Sequence, residues 1–349
     1  MFFTINFSRH NRGNLHRLAA VLLFCLYTAV VSAESRGITI ETTTHNNNIT
    51  FLNGTYRALI IGNNDYRDSE GRWPPLKTAL TDARALKQIL EEDYGFTDIQ
   101  LLENATRRDV LIALQELSKR VMANDNVLVY YAGHGYFDAD TKKGYWVPVD
   151  AKGTDQTTFL RNSTIRDELS IIASRSRHTL LISDSCFSGT LLRSNTRSIR
   201  PEMYTDLYYR KVATKKSVQI MSSGGIEYVD DDYNTSGHSP FTYFLLNELK
   251  YNDRKMLTLS ELSTNVEKAV ANNVSQVPES GVLQGAGDEL GEFIFIKLNV
   301  SVDGVPKDKV KVQVNVVPAE AQSSNREPEA VTPRKHDKME RLVAPIPTL

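Results

Sequence analysis

The stretch VLVYYAGHGYFD, Val127–Asp138, decides how this chain is read. It begins as a run of β-branched, aliphatic and aromatic residues too short for a helix and ends in glycine. That is the signature of a strand buried on both faces. At its end a titratable ring, His134, sits between Gly133 and Gly135 with no bulky neighbour. A second stretch, HTLLISDSCFSG (178–189), has the same form, and Cys186 lies near its tip. The two strand ends raise the question of whether His134 and Cys186 share a site.

Working outward, strand and helix alternate. YRALIIG (56–62), DIQLLEN (98–104), SVQIMSS (217–223) and GEFIFIKL (291–298) read as further strands. ALTDARALKQILEEDY (79–94) has helical spacing at Ala79, Ala83, Leu86 and Leu90. TRRDVLIALQELSKRV (106–121) carries a capping box, Thr106 with Asp109. A short helix is expected near RDELSIIASR (166–175). SPFTYFLLNELKY (239–251) has Ser239 as cap and Pro240 at the first position, and TLSELSTNVEKAVANN (258–273) opens with Thr258 and Glu261. The alternation predicts an α/β fold, an open and mostly parallel sheet with helices on both faces in three layers.

The 349 residues are 41% hydrophobic with a net charge of −1, enough for one large domain and too balanced for a nucleic-acid or membrane surface. Arg9, Arg12 and Arg17 precede the apolar run LAAVLLFCLYTAVVSA, which predicts a signal peptide over 1–33 and an exported, periplasmic or secreted, protein with no membrane insertion after cleavage. The run is shorter than the roughly 20 residues of a spanning helix. Phe24 before Cys25 argues against a lipoprotein. Residues 34–53 are expected to be a flexible lead-in, and 299–349, Pro-rich and charged, a mostly disordered tail. Cleavage removes Cys25 and leaves Cys186 as the one thiol, excluding an intramolecular disulfide and a cysteine-based zinc site.

In open parallel sheets, chemistry collects at the carboxyl ends of strands. Thiol plus imidazole suffices for nucleophilic acyl transfer: the imidazole takes the thiol proton and later gives it to the leaving amine. The N–H groups of Gly135 and Cys186 are the expected oxyanion donors. Other frames fail. The places two before and two after Cys186 hold Asp184 and Ser188 rather than the glycines of a hydrolase elbow. No phosphate-binding glycine loop is present, and no histidine pair has helical metal spacing, so no metal site is expected.

The segments YRALIIGNNDY, LKTALTDA, VLVYYAGHGY, YWVPVDA, LLISDSCFSG and GHSPFTYFLLNEL, in this order, resemble caspase-like cysteine peptidases of the metacaspase type. The resemblance runs over 54–298 and implies a caspase-like six-stranded sheet with His134 and Cys186 as dyad. It implies cleavage after arginine or lysine, with Asp82 and Asp184 as the carboxylates of a basic-residue pocket. Ala132 stands where many members have serine. Many members bind calcium through a paired Asp-Asp; here IRDEL puts Arg166 at the first place, so calcium dependence is not expected although Asp150 and Asp167 remain. No cofactor is required. The basic segment 190–216 is a candidate self-cleavage site, and Asp230–Asp232 reads as a solvated loop tip, with binding of a cation or a basic substrate as the alternative. The alternatives are a catalytically silent binding module of the same fold and an amidase acting on non-peptide amides.

Overall fold

Each apolar run read above as a strand becomes one in the computed structural model, which describes residues 41–44, 47–50, 54–68, 70–186, 191, 206–224, 231–283 and 285–298. The expected signal (1–33), the tail (299–349) and most of the 190–216 segment lie outside the described residues. Within the expected lead-in, β1 (Glu41–Thr44) and β2 (Asn47–Thr50) pair as an antiparallel hairpin.

The main sheet is built from β3 (Tyr56–Gly62), β4 (Asp98–Glu103), β5 (Asn126–Ala132), β9 (His178–Asp184), β10 (Ser217–Ser222) and β12 (Glu279–Val282). Their order is β12-β10-β9-β5-β3-β4, with β12 antiparallel and the other five parallel. β5 and β9 lie at the centre and are buried at every position. Side chains alternate across the sheet. Leu128, Tyr130, Leu180 and Ile182 face helices α1 (Ala79–Tyr94), α5 (Pro240–Tyr251) and α6 (Leu259–Asn273). Val127, Val129, Tyr131 and Leu181 face α2 (Arg107–Arg120) and α3 (Asn162–Arg175). A strand flanked by helices on both sides has no polar face, which is why these runs are apolar throughout.

The caps are where local chemistry puts them. Thr106 and Asp109 exchange hydrogen bonds at the start of α2, as do Thr258 and Glu261 at α6. Ser239 accepts from the Thr242 N–H at 3.0 Å, with Pro240 at the first turn of α5. The helix expected near 166–175 begins earlier, at Asn162.

Three features depart from the sequence reading. The run GEFIFIKL does form a strand, β13 (Ile294–Ile296), but it pairs with β11 (Met256–Thr258) off the main sheet. Phe293 and Phe295 are fully buried among α1, α5 and α6, while Ile294 and Ile296 pack on α4 (Asp206–Thr214). That strand is apolar because helices cover it. The sixth place in the sheet goes to β12, whose ESGV sequence carries no apolar run because it is an edge. Finally, β6 (Gly135–Asp138), β7 (Lys143–Trp146) and β8 (Leu160–Arg161) form a small antiparallel sheet directly after His134.

Candidate active site

The register of the two central strands brings the ends that carry His134 and Cys186 side by side. Ala132 on β5 is paired with Asp184 on β9. His134 and Cys186 each lie two residues further, and both line one cleft of about 470 Å³. The two residues singled out in the sequence therefore lie at adjacent strand ends on the same cleft. Cys186 is partly exposed and in no disulfide.

Glycine at 135 is required by close approach. A Cβ there would lie 2.0 Å from the Cys186 carbonyl oxygen and 3.2 Å from its nitrogen. The peptide groups of Gly135 and Cys186 are therefore side by side. Gly133 is similarly confined, since a Cβ would fall 2.7 Å from Tyr66 Oη and 2.8 Å from Tyr131 Oη.

Five residues hold His134. Its N–H donates to Tyr66 Oη at 2.7 Å, and its carbonyl accepts from Tyr131 Oη at 2.9 Å and from the Val147 N–H at 2.9 Å. The ring packs on Tyr66 and Trp73, with centroids at 4.6 and 5.6 Å. Nε2 lies 2.8 Å from the Pro74 carbonyl oxygen. A carbonyl only accepts, so Nε2 carries the proton and Nδ1 presents its lone pair. Burial lowers the imidazole pKa below its ordinary value, favouring the neutral base. None of Tyr66, Trp73 and Pro74 was legible as a site residue, because the contact with Pro74 crosses 60 positions.

Behind the thiol is an acidic wall. Asp82, in the first turn of α1, is 1% exposed, and Asp184, at the end of β9, is 5% exposed. Both line the cleft. Asp82 Oδ1 accepts from His238 Nδ1 at 2.6 Å and Oδ2 from the Ser239 N–H at 3.2 Å. Burial pushes its pKa up to about 6, against the hydrogen bond from His238 and with repulsion from Asp184. Asp184 Oδ2 accepts from the Ser239 hydroxyl and from Thr242 Oγ1, the latter at 2.7 Å. Its Oδ1 has no hydrogen-bond partner among the described residues, and the nearby Ser223 hydroxyl favours the charge without reaching normal bonding geometry. Burial raises the Asp184 pKa as well.

Asp231 is a third carboxylate of this wall, where a solvated loop tip was expected. It is half-buried, lines the cleft, and accepts from the N–H groups of Lys77 (2.7 Å) and Thr78 (3.3 Å). The first turn of α1, whose Thr78 makes no capping bond of its own, is capped by Asn64, whose Oδ1 accepts from the Leu80 N–H at 3.1 Å. Arg72 forms the opposite lip, its guanidinium 5.6 and 5.8 Å from the Trp73 and Tyr136 rings.

Of the residues considered for calcium, Asp150 accepts from the Arg107 N–H at 2.9 Å and Asp167 lies 3.7 Å from Arg166 on the surface. Among the described residues no three His, Cys, Asp or Glu side chains are grouped to hold a metal.

The model of the caspase domain, a peptidase family, matches residues 55–282. The chain belongs to that family. It is 29% identical over 161 residues to Metacaspase-1B of Neurospora crassa, covering 40% of this chain and 35% of that protein. It is 31% identical over 161 residues to Metacaspase-1 of Saccharomyces cerevisiae, covering 40% of this chain and 34% of that protein. The match thus spans about a third of the length of these curated relatives. Among solved structures, a Geobacter sulfurreducens protein superposes with a TM-score of 0.46 at 21% identity, over 68% of this chain and 99% of that one. Caspase-1 from Spodoptera frugiperda superposes at 0.45 and 16%, over 66% and 86%.

Proposed function

We propose that this caspase-family chain is a cysteine endopeptidase that cleaves after arginine or lysine through a His134–Cys186 dyad. His134 Nδ1 removes the thiol proton and the sulfur adds to the scissile carbonyl. The oxyanion forms beside the N–H groups of Gly135 and Cys186, which the close approach of the two strand tips keeps together. The C–N bond then breaks, the imidazolium gives its proton to the departing amine, and a thioester remains. Water, deprotonated by the same imidazole, hydrolyses the thioester and restores the thiol. No step calls for a cofactor or calcium.

The observation that carries the specificity is the grouping of three carboxylates, Asp82, Asp184 and Asp231, on one wall of the cleft. Like charges held together with little access to water are unfavourable in an empty pocket and favourable once a guanidinium or ammonium fills it. An acidic side chain at the cleavage site meets like charge instead. The substrates are accordingly proteins or peptides with basic residues. We include an exported location in the proposal, from the first 33 residues; among the described residues no helix is long and apolar enough to cross a membrane.

Matched fluorogenic peptides ending in Arg, Lys, Asp or Ala test the reading, beside Cys186→Ala as blank. Thiol-dependent turnover of Arg and Lys peptides alone is expected. Turnover of Asp peptides overturns the pocket. No thiol-dependent turnover of any peptide points to the silent binding module, and activity confined to non-peptide amides to an amidase.

A further inference from the structure

Asp82 is not an open carboxylate. Its Oδ1 is held by His238 Nδ1 at 2.6 Å, across 156 positions of sequence. His238 belongs to the segment that follows Asp231 and leads into α5, and its side chain is 22% exposed while that of Asp82 is 1% exposed. A group at the pocket's back wall thus already has a cation-capable partner of its own, seated where water can reach it.

We propose that His238 is a specificity-determining residue of the pocket: the His238–Asp82 pair takes up one proton when the pocket is empty, and a bound arginine or lysine side chain expels it. The proposal rests on the basic-residue reading above. An imidazole is the side chain that ordinarily changes charge between about pH 5 and 8. In the protonated state the pair is neutral, so only Asp184 and Asp231 remain to attract a cation. In the deprotonated state Asp82 adds its full charge. The titratable groups facing the pair are Asp184 at the end of β9, Tyr130 on β5, Asp231 and Asp232 on the preceding loop, and, across the cleft, His134, Cys186 and Arg72. Three of these are carboxylates, and repulsion from Asp184 already disfavours a second bare charge at Asp82. Arg72, the one permanent cation among them, stacks on aromatic rings at the lip and, among the described residues, makes no ion pair with the wall. A substrate guanidinium reverses this balance, because it brings a charge that cannot be shed.

The test uses two peptides that differ only at the cleavage residue, arginine in one and citrulline, its uncharged isostere, in the other. The ratio of their kcat/KM values cancels the ionisation of the dyad, which is common to both. In the wild type this ratio is expected to fall about tenfold between about pH 7.5 and about pH 5.5. In His238→Gln the amide keeps a donor to Asp82 but binds no proton. The proton affinity of a pair is the sum of its two sites, so losing one moves the fall to lower pH. At about pH 5.5 the variant then discriminates several-fold better than the wild type. Superimposable profiles, or a wild-type ratio above one that ignores pH, overturn the proposal. A ratio near one at every pH instead overturns the basic-residue reading itself. Should His238→Gln fold poorly, Cys186→Ala with His238 intact is titrated calorimetrically near pH 6 in two buffers of different ionisation heat. Release of a sizeable fraction of one proton is expected for the arginine peptide and none for the citrulline peptide; equal release, or none, sinks the idea.

Discussion

Replacing Asp82 by asparagine separates stability from function, and the structure sets the size of both effects. The carboxyl is 1% exposed and is pushed from an ordinary 3.8 up to about 6, chiefly by burial. Two pKa units correspond to about 3 kcal/mol. The sign follows from linkage. Below about pH 4 the group is protonated in folded and unfolded chains alike, and it does not oppose folding. As pH rises from there to about 6, the unfolded chain ionises and the folded one resists, so the folded state loses stability progressively. Above about pH 7 the full ~3 kcal/mol is present. Asparagine has no such titration. It does set an amide against the Ser239 N–H or forgo the bond from His238, a loss of about 1–2 kcal/mol that lowers the variant's stability without reversing the slope. The prediction therefore concerns the slope. Measured by urea unfolding in a Cys186→Ala background, the variant gains about 3 kcal/mol on its parent between about pH 4 and about pH 7.5. In the active enzyme, kcat/KM for an arginine peptide falls at least about thirtyfold, from losing one partner of a desolvated charge pair. A difference in stability that stays constant with pH, or a parent that gains on the variant as pH rises, refutes the account of Asp82 as a carboxylate held against its own solvation.

Gly135→Ala places a methyl 2.0 Å from the Cys186 carbonyl oxygen; the strand tips must separate, and kcat is expected to fall at least about a hundredfold, with about 1–3 kcal/mol of stability lost in a thermal melt. Tyr66→Phe leaves the His134 N–H without its 2.7 Å acceptor. It is expected to lower kcat about tenfold with KM little changed and to lower stability by about 1–3 kcal/mol; an unchanged kcat removes Tyr66 from the positioning of the ring. Because burial lowers the His134 pKa, the base stays neutral into mild acid, so the acid limb of kcat/KM on the citrulline peptide is expected below the ordinary imidazole range. A limb at or above that range refutes the desolvated, Nε2-protonated imidazole.

Local chemistry determined much of this protein. Runs such as NVLVYY and HTLLIS lack a polar face because helices cover the sheet on both sides, so their composition alone declares central strands. Thr106, Ser239 and Thr258 start helices through bonds that span three residues, and such bonds are written in adjacent positions. Strand tips carrying chemistry-bearing residues, with glycine where backbones close up, singled out His134 and Cys186 as candidates, and their place on one cleft follows from the strand register. Pairing, by contrast, is a matter of free energy between distant segments. Tertiary structure alone decided that FIF leaves the sheet for a helix-lined slot while the polar ESGV completes its edge. It also decided that Pro74 orients the imidazole and that Asp231 and His238 join Asp82 in one wall. These contacts bridge 60 to 156 positions, and they form because folding the apolar strands brings loop ends together, a result that no pattern within a loop encodes.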